Sequence, residues 1–329
     1  MRNVALKIWS RLLVLGAQAL VCLVLLEVAC QAYYFIVVVD QLEAGRNSDS
    51  FYYTRSDNPD LTYELKRGLD IRTSDRRLHV NQRGIREDSE EAFTDRIRIG
   101  ILGDSATFGT GLSQDNTLSA GLQRLLDPRG ATIKAFNFGV PGYGLQEMPA
   151  WMRQVVKEYR PNSILYLLNM NDFSLRDSIY EGADNGLYRS FKPPTLVFPF
   201  LVRKAIYRYY KEGQFSSVAW YKWLFHGNRS WALERISQMN DYARQNGVRF
   251  AVAILPPGVA YTADGHLLSA EQAQIMSFLR KSNIPAVDLT ALLSADDFDE
   301  TDHLTSAGAS RAAQVLAGPI RSFLIAPGP

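Results

Sequence analysis

The chain is short of cysteine and histidine, with two of the former and four of the latter among 329 residues. Both cysteines, Cys22 and Cys30, lie in an apolar N-terminal stretch. The remainder therefore has no disulfide framework, no thiolate zinc site and no thiol nucleophile. No metal-ligand spacing such as His-Glu-x-x-His occurs, so neither a metal nor a cofactor is expected. No lysine and arginine run is present to track phosphates, and the formal charge is only +2, so nucleic acid is not an expected partner. The Gly-x-Ser-x-Gly elbow is missing, which excludes the hydrolases built on it. Gly142-x-Gly144 lacks the rest of a dinucleotide fingerprint and reads as a turn at a substrate site. There are no internal repeats and no low-complexity tract.

What the chain does have begins at the N-terminus. Arg2, Lys7 and Arg11 precede an apolar run from Leu12 to Val39, broken only by Gln18, Glu27 and Gln31. A bilayer core needs about 20 residues of helix, so this run is long enough to span it with some tilt. The basic flank before it and the acidic Asp40 and Glu43 after it place residues 1–11 in the cytoplasm and everything beyond Val39 outside it. The apolar run outlasts the core of a cleaved signal peptide. The expectation is thus a single-pass anchor at 12–39 in the inner membrane, with the rest on the periplasmic side. Glu27 is costly at membrane depth and marks either a contact with a membrane-protein partner or a carboxylate reaching the interface.

Residues 40–95 are polar with short apolar islands and read as an irregular lead-in. From Arg96 the texture changes to alternating β-type and helical runs. Strands are expected at 96–102, 132–138, 163–169, 248–255 and 286–289. Helices are expected at 117–126, 146–159, 231–245, 270–281 and 306–323. Strands alternating with helices of these lengths predict a doubly wound, flavodoxin-like α/β/α sandwich with about five parallel strands over residues 96–329. Residues 173–228, rich in Tyr, Phe, Trp, Lys and Arg, interrupt the alternation as a long insertion. A substrate lid, a sugar-stacking platform, a membrane-resting surface and plain core packing are all open for it.

Ligands of open α/β sheets bind beyond the carboxyl ends of the strands. After the first strand stands Gly103-Asp104-Ser105-Ala106-Thr107-Phe108-Gly109, and after the second Asn137-Phe138-Gly139-Val140-Pro141-Gly142. Asn169-Met170-Asn171-Asp172 follows the third, and Asp299-Glu300-Thr301-Asp302-His303 precedes the last helix. Singly, such features are usually caps or surface pairs. Together they supply a nucleophile, a base, an acid and oxyanion donors, the set that acyl transfer needs. His79, His226 and His266 have no such context.

These blocks, in this order, resemble the SGNH (GDSL-type) serine hydrolase family over about residues 96–325. The family's four signature residues map onto Ser105, Gly139, Asn171 and His303. The resemblance implies Ser105 as nucleophile, His303 as base, and Gly139 and Asn171 as oxyanion donors beside the Ser105 N–H. Two blocks depart from the pattern. Asn169 stands where the third block usually begins with Gly, and Glu300 stands where an Asp usually lies three residues before the His. The acid is therefore open among Glu300, Asp302 and Asp299. Asn58-Pro59-Asp60-Leu61 and Asn81-Gln82-Arg83-Gly84-Ile85-Arg86 also look like anchored bacterial members linked to surface polysaccharides. The expected function is an esterase or O-deacetylase on an acylated carbohydrate. An O-acetyltransferase using the same residues, or a glycan-binding protein without turnover, are the alternatives.

Overall fold

A computed structural model describes residues 2–39, 52–91, 94–175, 195–202, 205, 217–300 and 302–325. The chain divides into two units, Met1–Phe51 with Asp184–Glu212 and Tyr52–Ala183 with Gly213–Pro329. Most of the expected insertion, at 176–194 and 206–216, lies outside the described residues.

In the first unit, helix α1 (Arg2–Tyr33) runs on into a wider π turn at Tyr34–Val39. Among the described residues it is the one helix long and apolar enough to cross a membrane, and most of the qualifying stretch Trp9–Ile36 is exposed. Residues 197–202 form a short helix in the same unit.

The second unit opens with two antiparallel ribbons, β1 (Tyr53–Arg55) with β2 (Tyr63–Leu65) and β3 (Leu69–Arg72) with β4 (Arg77–Val80). The lead-in thus has regular structure where the sequence suggested none. Strands of three or four residues carry too few alternations to register as a period of two. The main sheet comes next, with β5 (Ile97–Gly103), helix α2 (Ser105–Phe108), helix α3 (Leu118–Leu126) and β6 (Ile133–Gly139). It continues through helix α4 (Met148–Tyr159), β7 (Ser163–Asn169), helix α5 (Val218–Gln245) and β8 (Arg249–Leu255). A small hairpin of β9 (Tyr261–Thr262) and β10 (Gly265–His266) precedes helix α6 (Ser269–Lys281), β11 (Ala286–Asp288) and helix α7 (Ser306–Ile320).

The five main strands are all parallel and lie in the order β11-β8-β7-β5-β6. Numbered by appearance this is 2-1-3-4-5, the flavodoxin-like winding. The chain leaves β5 to one side for β6, then crosses back for β7, so the strand order reverses at β5. In such windings the ligand crevice lies beyond the carboxyl end of the strand at the reversal, and Ser105 follows that strand directly. Helices α3 and α7 pack on the sheet face that carries Ile99, Ile101, Leu165, Leu167, Ala251 and Ala253, all buried. Helices α4, α5 and α6 pack with one another away from that face.

Helix α5 begins thirteen residues before its expected start at Trp231. Ser217 caps it by accepting the Trp220 N–H, and buried Trp220, Tyr221, Leu224 and Phe225 carry its inward stripe. The aromatic richness that suggested an insertion is, over 218–228, largely the buried face of a helix, with Trp220, Tyr221 and Phe225 turned in and Trp223 exposed. Helix α7 stops at Ile320 and relaxes into a π turn at Arg321–Ile325.

Helices α3 and α7 touch through small residues. A Cβ on Gly121 would lie 2.9 Å from the Ala313 Cβ, so the two helices meet at a distance only small side chains allow. Gly121→Val is expected to force them apart at a cost of about 1–3 kcal/mol, typical of overpacking. A thermal melt followed by circular dichroism should show a lowered midpoint, and an unchanged one would mean that the contact yields freely.

Candidate active site

Helix α2 is four residues long, closed by the Phe108 N–H donating to Asp104 O and the Gly109 N–H to Ser105 O, each at 2.9 Å, and braced further by its surroundings. Asp104, buried at its head, accepts the Ala106 N–H at 2.9 Å through Oδ1. A Cβ on Gly103 would lie 2.1 Å from Thr107 Oγ1, and one on Gly139 would lie 2.1 Å from the Phe108 nitrogen. The ends of β5 and β6 thus press against this turn closely enough to require glycine. Asn137 ties β6 to it as well, donating from Nδ2 to Thr107 O at 3.0 Å and to Phe108 O at 3.3 Å.

Arg86 closes the other end. Its buried guanidinium donates to Phe108 O (2.8 Å), Gly109 O (2.7 Å), Leu112 O (2.7 Å) and Gln114 Oε1 (3.1 Å). It also lies over the Phe108 ring, 4.8 Å from its centre. Carbonyl and amide oxygens take the place of a carboxylate around this charge, and burial lowers its pKa to about 10. Composition gave no sign of this role. The signal was local: an arginine beside Ile85 in a polar lead-in, two residues past a glycine at φ 79°.

Ser105 is half-buried at the first position of α2, and among the described residues its backbone N–H has no acceptor. Its Oγ lies 2.9 Å from His303 Nε2, although the two residues are 198 positions apart. If the Ser105 hydroxyl donates, Nε2 is the acceptor and Nδ1 carries the ring proton, a tautomer inferred from the geometry.

His303 stands on a tight turn before α7. The Asp299 N–H donates to His303 O at 2.8 Å, and the His303 N–H donates to Asp299 Oδ1 at 3.0 Å. The turn closes at Asp302, whose φ of 66° is left-handed. The Asp302 carboxylate accepts the Tyr221 hydroxyl at 2.6 Å, the Val259 N–H at 3.2 Å and the Gly258 N–H. It therefore fastens the turn to α5 and to the loop after β8, and it makes no hydrogen bond to the imidazole. Glu300 is exposed, and its carboxylate makes no hydrogen bond or ion pair with a described residue.

The expected oxyanion donors divide. Asn171 Nδ2 donates to Asp104 Oδ2 at 3.1 Å, which brings the amide to the residue before Ser105. The Asn169 N–H is taken by the buried Asp172 carboxylate at 3.0 Å, a backbone bond that closes the turn carrying Asn171. Gly139 differs from expectation. Its N–H donates to its neighbour's side chain, Asn137 Oδ1, at 2.9 Å, and is committed inside the strand end. Its glycine is explained by the close approach to Phe108 instead. Gly142 has φ 81° and an N–H without an acceptor among the described residues. Val140-Pro141-Gly142-Tyr143 closes by Tyr143 N–H donating to Val140 O at 3.1 Å. Pro followed by a positive-φ Gly is the type II arrangement. The lead-in pins this turn: Tyr63 donates to Pro141 O at 2.9 Å, and the buried Tyr143 hydroxyl donates to Tyr63 O. The remaining histidines lie apart from the pair. His79 faces Asp70, His226 faces Glu271, and His266 meets Pro257 O at 3.1 Å.

No family model matches the sequence, and no curated protein does. Solved structures are similar over about two thirds of the chain. The crystal structure of TesA aligns with 69% of this chain and 99% of its own at 14% identity and a TM-score of 0.46. The psychrotrophic esterase EstA from Pseudoalteromonas sp. aligns with 69% of this chain and 96% of its own at 14% identity and a TM-score of 0.39. A member of the lipolytic protein G-D-S-L family from Veillonella parvula aligns with 67% and 96%, at 14% identity and a TM-score of 0.42. At these values the likenesses carry no part of the functional reading, which rests on the strand ends themselves.

Two outcomes are expected from the geometry. Arg86→Lys keeps the charge but replaces a planar fork with a point donor that cannot reach three separated carbonyls. Each buried acceptor left unpaired costs about 1–3 kcal/mol, so urea unfolding should show a clear loss of stability despite the conserved charge. The second concerns Asp302, whose carboxyl is raised above the ordinary carboxylate range by burial, against the pull of its donors and of His303. A raised folded-state pKa gives stability that is full below the ordinary value and lost as pH rises through the raised one. Between about pH 4 and pH 7 the wild type should therefore lose more stability than Asp302→Asn; equal slopes would refute the linkage.

Proposed function

We propose that the chain is a serine ester hydrolase in which Ser105 attacks the acyl carbon and His303 takes its proton. The observation that carries this reading is the 2.9 Å contact between Ser105 Oγ and His303 Nε2 at the reversal point of the sheet. Nucleophile and base within hydrogen-bond reach are the first requirement of such catalysis. The same contact speaks against a fold kept for binding alone.

The steps assign themselves to residues. As Ser105 Oγ bonds to the carbonyl carbon, its proton passes to His303 Nε2. The oxyanion is met by the Ser105 N–H, the Asn171 amide and the Gly142 N–H, which replaces Gly139 in this role. The imidazolium returns the proton to the leaving oxygen, and water, activated by the same imidazole, releases the acid. For the carboxylate at Nδ1 we choose Glu300. It lies on the His303 turn and is uncommitted, whereas Asp302 is engaged by three donors and Asp299 accepts the His303 backbone N–H.

The proposal extends to place and substrate. Helix α1, with Arg2, Lys7 and Arg11 at its start, is read as an inner-membrane anchor that leaves the second unit in the periplasm. An acylated carbohydrate is the proposed substrate class, on the sequence resemblance of the lead-in and the blocks. An acyl transfer to a sugar hydroxyl in place of water would use the same residues.

The test is hydrolysis of 4-nitrophenyl acetate by the full chain in detergent. Ser105→Ala should lower kcat by about 10⁴-fold or more. Asn171→Ala should lower it by about 10²–10³-fold, the range for one oxyanion donor. Glu300→Gln should lose about 10⁴-fold if it fixes the tautomer, with Asp302→Asn retaining most activity. Undiminished turnover in Ser105→Ala sinks the mechanism, and the reverse ranking of the two acids moves the assignment to Asp302. Analysis of products from an acyl donor and an oligosaccharide separates hydrolysis from transfer.

A further inference from the structure

Glu27 is the one acidic residue of helix α1, and the structure gives its carboxylate an occupation within the chain. Oε1 accepts the Val197 N–H at 2.7 Å and Oε2 accepts the Phe198 N–H at 2.9 Å. Gln31, one turn on, donates from Nε2 to Glu27 Oε1 at 2.8 Å and to Thr195 O at 2.9 Å. The two interruptions late in the apolar run thus form one clip, and it holds Thr195-Leu196-Val197-Phe198-Pro199-Phe200-Leu201-Val202. Seven of these eight residues are apolar.

The clip meets a particular need. The first N–H groups of a helix have no partner within it, and in hydrocarbon no water can supply one. Here the N–H groups of Val197 and Phe198 go to Glu27, and Pro199, at the third position, has none to satisfy. The segment is anchored further by Tyr34, only 4% exposed, which meets the Phe200 ring edge-on with centres 6.3 Å apart. Its outer side is bare and apolar: Leu196 is 57% and Val202 42% exposed, beside exposed Tyr33, Phe35 and Ile36 of the same unit. Water is a poor neighbour for such a surface when it is continuous with a membrane span.

Depth agrees. Glu27 lies sixteen residues beyond Arg11, about 24 Å along the axis at 1.5 Å per residue. A hydrocarbon core is about 30 Å thick, so the clip falls within it, near its far boundary.

We propose that residues 195–202 are a second membrane element, a short re-entrant segment lodged among phospholipid acyl chains and fastened to α1 by Glu27 and Gln31. This rests on reading α1 as a membrane span. Glu27 is then an internal fastener, in place of the contact with another membrane protein that the sequence left open.

The test uses the full chain in vesicles of phosphatidylethanolamine and phosphatidylglycerol. With Cys22→Ser and Cys30→Ser as background, spin labels are placed singly through Val21→Cys, Leu196→Cys, Val202→Cys and Leu292→Cys. Relaxation by oxygen against a water-soluble nickel chelate reports depth. Labels at 21, 196 and 202 should favour oxygen several-fold over the label at 292, an exposed site of the second unit. Adding Glu27→Ala should return the 196 label to the aqueous ratio while leaving the 21 label buried. A buried 21 label with an aqueous 196 label overturns the re-entrant segment and spares the anchor. An aqueous 21 label overturns both. A 196 label that stays in lipid without Glu27 removes the fastener from the proposal.

Discussion

Everything at the centre of the second unit depends on how closely one turn of helix is pressed onto two strand ends. Ser105–Phe108 is too short to hold its own shape, and it sits where side chains on Gly103 or Gly139 would collide with it. Backbone meets backbone there. The polar groups exposed by such an approach must be paired, and Asp104, Asn137 and Arg86 supply the pairing from three sides. A serine hydroxyl placed in this way owes its position to residues whose own bonds are made to the backbone around it.

The two halves of the site are built on different physics. The Ser105 side is buried and dominated by fixed backbone geometry. The His303 side is a turn stitched by carboxylates. Asp299 takes the His303 N–H, Asp302 takes donors from α5 and the β8 loop, and the buried Asp297 pairs with Arg311 while its backbone oxygen accepts the Thr305 N–H. Gly308 belongs to the same arrangement, since a Cβ there would lie 2.0 Å from Asp297 O. The acidic cluster seen in the sequence is thus mostly turn-holding, with Glu300 the carboxylate left uncommitted.

The main strands were legible as short apolar runs, since β7 is buried along its whole length and β8 along all but its first residue, and the helices were legible through the period of a buried face. All five strands fall within one residue of their expected bounds, and β7 matches at both ends. Shorter or disguised elements were not legible. The ribbons β1–β4 are too brief for alternation to stand out, and the first turns of α5 were hidden by aromatics that looked like an insertion. At the site, residue types pointed to Ser105, His303 and Asn171, which the fold brings to one place. Direction did not show. Whether Gly139 offers its N–H or merely its lack of a side chain depends on where Asn137 points, and only three-dimensional placement shows that. Arg86 stands in a recognisable motif, but its acceptors are carbonyls contributed by a loop more than twenty residues away, which no local pattern encodes.

The spacing of the Ser105–His303 pair has a consequence for timing. Synthesis proceeds from the N-terminus, so β5, β6 and β7 and the Ser105 turn exist long before the histidine turn, 198 residues later, has been made. Until α7 docks beside α3 the hydroxyl lacks the imidazole that it meets at 2.9 Å in the folded chain. Under the proposed function, the pair that carries the chemistry is therefore assembled only once α7 is in place.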